Sequence, residues 1–88
     1  MIKVENMISN KGNSVANQFI IEFEGDTYFQ SYSSIIAKID YCGNVTLDEN
    51  KWDYSVTTGK WRNVFLGENK KETEAKIASG EYKLVNLN

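Results

Sequence analysis

Five residues within eleven positions carry the chain's densest chemistry: Trp52, Tyr54, Lys60, Trp61 and Arg62 bring aromatic rings and positive charge together. That mixture stacks single-stranded bases and neutralises phosphates. Read as a helix at about 100° per residue, however, Lys60 and Arg62 flank Trp61 on opposite sides, so the two cations straddle a packed ring and form no single basic patch. Asp48 and Asp53 make a carboxylate pair that in principle serves acid/base work or holds calcium, but their spacing matches no EF-hand loop. Cys42 stands next to Gly43 with no histidine anywhere in the chain to activate it. The absence of histidine and the single cysteine exclude Ser-His-Asp and Cys-His nucleophile pairs, structural zinc and disulfide frameworks. With no phosphate-cradling glycine pattern either, the expectation is a protein that is not an enzyme and takes no metal or organic cofactor.

The elements that position these residues have to come from 88 residues, enough for one domain spanning 1–88 and one core. Hydrophobic residues at 41%, charged residues at 25% and a net charge of -2 are ordinary globular values and exclude disorder along the whole chain. The opening Met1-Ile2-Lys3-Val4-Glu5 interrupts any apolar leader with charge, and no run is long enough to cross a bilayer, so a cytoplasmic protein with no membrane partner is expected. Lysine outnumbers arginine nine to one and asparagine occurs ten times, a bias towards AT-rich codons that fits a bacterial or phage genome. Residues 1–50 carry three lysines and seven carboxylates, whereas 51–88 carry seven cations and five carboxylates. The first half could thus offer an acidic hairpin edge around Glu24 and Asp26 to a basic protein surface.

Glycine-bearing clusters at Lys11-Gly12-Asn13, Glu24-Gly25-Asp26 and Cys42-Gly43-Asn44 mark reversals at hairpin spacing and predict a β-meander. Phe19, Ile21 and Phe23 alternate with Gln18, Ile20 and Glu22, which assigns the three former residues to the core face. A three-residue loop at 24–26 then sets Phe29 opposite Ile21, and is preferred to a two-residue Gly25-Asp26 loop that sets Gln30 there. Ile35, Ala37, Ile39 and Tyr41 share one face of a further strand; a helix capped by Ser33 or Ser34 is the competing reading of 33–40. Trp52 and Tyr54 alternate with Lys51 and Asp53 in a strand or extended rim. Thr57 or Thr58 caps a short helix with Trp61, Val64 and Phe65 as its stripe and Gly67 at its end, and Asn69 with Glu72 forms a capping box for a second helix ending at Gly80. Tyr82 to Leu87 alternates as a last strand.

The sum is an α+β fold: a mainly antiparallel sheet of five or six strands, with two short helices before the last strand. Phe19, Ile21, Phe23, Phe29, Ile35, Ile39, Leu47, Trp61, Phe65 and Leu84 are the expected core. The two helices around Gly67-Glu68-Asn69 invite comparison with a helix-turn-helix, but Lys70, Lys71 and Lys76 are countered by Glu72 and Glu74, and no third helix supports the pair.

The strings Tyr28-Phe29-Gln30-Ser31-Tyr32, Ile36-Ala37, Trp52-Asp53-Tyr54-Ser55-x-Thr57-Thr58-x-Lys60, Phe65-Leu66-Gly67 and Gly80-Glu81-Tyr82 resemble those of small proteins encoded by phages and other mobile elements. The resemblance implies a context shared with anti-CRISPR proteins and other inhibitors of host defence, which occupy a surface of a nuclease complex. The functional expectation is therefore a phage or mobile-element protein in the bacterial host cytoplasm that binds and inhibits a host defence complex; the alternative is a nucleic-acid-binding accessory or regulatory protein. Trp52, Tyr54, Thr57, Thr58, Lys60 and Arg62 are the expected partner contacts, because aromatics and arginine dominate interface hot spots and the hydroxyls bond without a charge penalty.

Overall fold

A computed structural model describes residues 1–88. Six strands run in the order β1 (Ile2–Ile8), β2 (Ser14–Phe23), β3 (Asp26–Ser31), β4 (Ser34–Ile39), β5 (Val45–Asp48) and β6 (Lys83–Val85), and lie side by side in that same order. The first five pair antiparallel; β6 returns parallel to β5 after two helices, α1 (Val56–Leu66) and α2 (Lys70–Ser79). The α+β arrangement expected from the sequence is the one found, and residues 34–39 are strand. No helix is long and apolar enough to cross a membrane.

The helices lie on one face of the sheet, where α1 packs over β3. Phe29 and Phe65 stack with centroids 5.7 Å apart, and Met7, Ile36, Ala37, Leu47, Trp61 and Tyr82 complete the buried cluster. Three of the expected core residues, Phe29, Leu47 and Trp61, are buried, and Phe65 packs against them. Phe19, Ile21 and Phe23 are on the opposite face. The cause is the β2–β3 turn: Glu24 and Gly25 both adopt positive φ, 52° and 84°, so a two-residue turn pairs Phe23 with Asp26 and sets Phe29 against Ile20. One residue of slip relative to the expected loop exchanges the faces of the whole strand. Ile35 yields to Ile36 for a related reason, while Ile39 stays on the face of Ala37 and is half-buried at the end of β4. A bulge opposite Phe29 and Gln30 gives β4 one extra residue, Ile36, and turns two consecutive side chains into the core. Leu84, expected in the core, is exposed, and Tyr82 is the buried residue of this segment.

Helix ends are set locally. Ser55, not Thr57 or Thr58, caps α1: its hydroxyl accepts from the Thr58 amide at 3.1 Å, and Gly67 ends the helix at φ 70°. Asn69 and Glu72 exchange both bonds of the expected capping box at α2. Residues 49–53 form turns and Tyr54 a bend, in place of the strand or extended rim expected at Trp52 and Tyr54.

Candidate functional site

The segment from Trp52 to Arg62 turns off β5 and enters α1, and its residues divide between the interior and the surface. Thr58 is wholly buried. Its hydroxyl lies 2.9 Å from Ser31 Oγ at the end of β3 and accepts from Ser55 Oγ at 3.0 Å, so one hydroxyl ties the helix cap to the sheet. Arg62 is 1% exposed. Its Nη1 donates to the Trp52 carbonyl at 2.6 Å and lies 3.4 Å from Asp53 Oδ1, while Nη2 donates to Asn63 Oδ1 at 3.0 Å. The guanidinium lies 5.2 Å from the Trp52 ring centroid. Gly59 stands one turn before it, and a Cβ there would lie at ordinary contact distance, 3.7 Å, from both Nη atoms. Thr58 and Arg62 are therefore braces of the segment and not partner contacts, which corrects the expectation at both positions. Arginine suits this place because its planar fork satisfies a carbonyl, a carboxylate and an amide oxygen at once.

Braced from below, the other four residues differ in exposure. Trp52 is half-buried against the core, and Tyr54, Thr57 and Lys60 are exposed. Lys51 Nζ stands 4.6 Å over the Tyr54 ring, and Lys60 Nζ 5.1 Å over Trp61. Val56, 92% exposed in the first turn of α1, belongs to the same surface and was missed; its signal in the sequence is an apolar β-branched residue outside the Trp61 stripe. Tyr54, Val56, Thr57 and Lys60 thus form the outward part of the site.

Beside them an open groove of about 560 Å³ is lined by Asp53, Ser55, Lys60, Asn63 and Lys70 among others. Charge in the groove is largely spent internally. Lys70 Nζ pairs with Asp53 Oδ2 at 2.8 Å, and desolvation of the Asp53 carboxyl is outweighed by Lys70 and Arg62, which hold its pKa below the ordinary carboxylate value. Asp48, the other half of the carboxylate pair, accepts from the backbone amides of Leu87 at 2.8 Å and Asn50 at 3.1 Å. Burial alone would raise its pKa, and those bonds turn the net shift downward. Both carboxylates thus have structural work of their own. Cys42 is exposed in the turn before β5.

A second polar cluster joins α2 to the sheet. Glu68, its side chain 5% exposed, accepts from Lys76 Nζ at 2.7 Å, from the Tyr82 hydroxyl at 2.8 Å and from the Thr73 hydroxyl at 2.6 Å. Desolvation would raise the Glu68 pKa, but these three donors lower it, and the Tyr82 hydroxyl is pushed up by burial and by Glu68. The cluster is a lock: every donor in it ends on one carboxylate.

A family model described as Family of unknown function (DUF8033) matches residues 2–81, and the chain belongs to that family. No curated protein and no solved structure matches it.

Proposed function

We propose that this member of the DUF8033 family works by binding a protein partner through Tyr54, Val56, Thr57 and Lys60. The partner in this reading is a host defence complex of a bacterium, most directly a CRISPR nuclease, which a phage or mobile-element protein blocks by occupying its surface. The observation that carries the binding reading is the contrast within one segment: Val56 and Tyr54 project from a scaffold that the buried Arg62 and Thr58 hold rigid. Apolar and aromatic groups already fixed in place lose little conformational entropy on binding, which is what a hot spot requires. The choice of a defence complex as target rests on the resemblance to phage and mobile-element proteins. Nucleic acid fits the segment less well, since Arg62 is buried and Lys70 is paired, leaving Lys60 and Lys51 to face phosphates.

The test is interference against plasmid or phage DNA in a bacterium carrying the nuclease, together with binding of the purified chain to the purified complex. The wild-type chain is expected to restore plasmid uptake and to bind. A Tyr54→Ala, Val56→Asp double variant, folded by circular dichroism, should bind at least about 100-fold more weakly, two hot-spot truncations being worth a few kcal/mol. Binding that falls steeply between about 50 and 200 mM salt would instead identify a nucleic-acid ligand. Unchanged binding by the double variant would overturn the assignment of this surface.

A further inference from the structure

We propose that the helix-free face of the sheet is the interface with a second copy of this chain, the two copies packing sheet against sheet as a β-sandwich. The strand register defines this face. Val4, Ile21 and Tyr28 lie in one row across β1, β2 and β3; Ile2 and Phe23 lie in the row on one side, and Phe19 in the row on the other. Neither helix covers them: Ile2 is 62%, Val4 57% and Phe23 37% exposed, while Phe19, Ile21 and Tyr28 are half-buried only by their neighbours in the sheet. An antiparallel sheet with one wet face ordinarily puts its polar residues there, yet β2 turns Phe19, Ile21 and Phe23 away from the helices and keeps Gln18 and Glu22 on the helix side. These side chains look like core residues in the sequence because they have the composition of a core, and a single chain supplies nothing to lay over them.

The surroundings say what fits. Asn6, Gln30 and Thr46 border the apolar centre, Asp26 and Lys38 beside it pair with each other at 3.6 Å, and Lys83 beyond Thr46 leaves a single positive charge at the β6 edge of the face. An apolar patch within a polar border is the anatomy of a protein interface, and one lysine at its far edge is too little charge to hold a phosphate track or a surface of anionic headgroups. The patch is also self-complementary, since an isologous pair needs the same patch on both partners and no opposite charge to meet.

The area is sufficient. At about 3.3 Å per residue and about 4.8 Å between strands, the six strands present roughly 600 Å². Two copies then cover about 1,200 Å², where stable specific interfaces begin, and the sheets would stand about 10 Å apart with their strands within about 30° of parallel. The interface leaves the Tyr54 surface untouched, because the helices are on the other side; the pair would display it twice.

Sedimentation equilibrium between about 1 and 100 µM tests this, a range that spans the weak end of affinities known for interfaces of such size. The expected result is association to twice the 10.1 kDa of one chain. Ile21→Lys should weaken it by at least about 100-fold, because a lysine would be buried without a partner. Val4→Lys with Phe23→Lys, at more exposed positions that a monomer tolerates, should do the same while circular dichroism stays unchanged. Val56→Asp, on the far side, should dimerise as wild type. A chain that stays monomeric across this range overturns the proposal, also if the face proves to hold a different protein. So does a dimer that the folded double-lysine variant leaves intact, which would place the contact elsewhere, for instance along the β1 edge.

Discussion

Replacing Arg62 by alanine should destabilise the fold, not just weaken a contact. The guanidinium makes two short bonds, 2.6 Å to the Trp52 carbonyl and 3.0 Å to Asn63 Oδ1, and a longer one of 3.4 Å to Asp53. A hydrogen bond to a charged group contributes about 1.5–3 kcal/mol net, and the buried stem adds packing. Two effects offset this. Asp53 keeps Lys70 when Arg62 is lost, and the Arg62 Nε, buried without a partner, ceases to cost anything. The expected loss is about 3 kcal/mol, a large share of the roughly 4–13 kcal/mol typical of a chain this size. In a domain of this length that lowers Tm by about 12–24 °C. Urea unfolding followed by tryptophan fluorescence measures it directly, since Trp52 sits on the broken brace and Trp61 in the core. Arg62→Met keeps the stem and should recover about 1 kcal/mol of the loss. A change below about 0.5 kcal/mol in the alanine variant would refute the reasoning and return Arg62 to the contact surface.

Gln18 is 1% exposed and neither end of its amide has a protein partner, so Gln18→Met, which keeps the length and removes the amide, should stabilise by about 1–3 kcal/mol; an equal loss in thermal melts would mean that the amide is satisfied. Asn69→Ala removes the reciprocal bonds at α2 and should cost about 1 kcal/mol, read from urea midpoints at constant slope. Glu68 and Asp48 have pKa values lowered by folding, so their contribution is fully present above the unfolded values of about 4.3 and 3.9 and is lost as pH falls through the lower folded values. Stability measured from pH 7 down to about 2 should therefore fall in the acid limb, and Glu68→Gln should flatten that limb; an identical slope in the variant would exclude Glu68 as a source.

Where local chemistry suffices, the chain was legible. The positions of the three glycine turns, the Asn69–Glu72 capping box, the Gly67 and Gly80 stops and the two helices before the last strand follow from residues within a few positions of one another. So does the burial of Trp61, which lies on the apolar stripe of α1. The candidate surface was legible in part. Its place between Trp52 and Arg62 follows from where the large aromatics and the single arginine stand, whereas the roles inside it do not. No spacing in the sequence tells that Arg62 turns inward to Trp52 and Asn63, or that Thr58 meets Ser31, 27 residues away.

The deepest division concerns β2. Its alternation by itself determined that one face of the strand carries Phe19, Ile21 and Phe23 and the other Gln18, Ile20 and Glu22. Which of those faces meets the helices was decided only in the tertiary structure, by a two-residue turn at Glu24 and Gly25 and by the stacking of Phe29 on Phe65. The physical reason is that a strand's side chains repeat every two residues, so a single residue of register exchanges inside and outside while leaving the pattern along the chain the same.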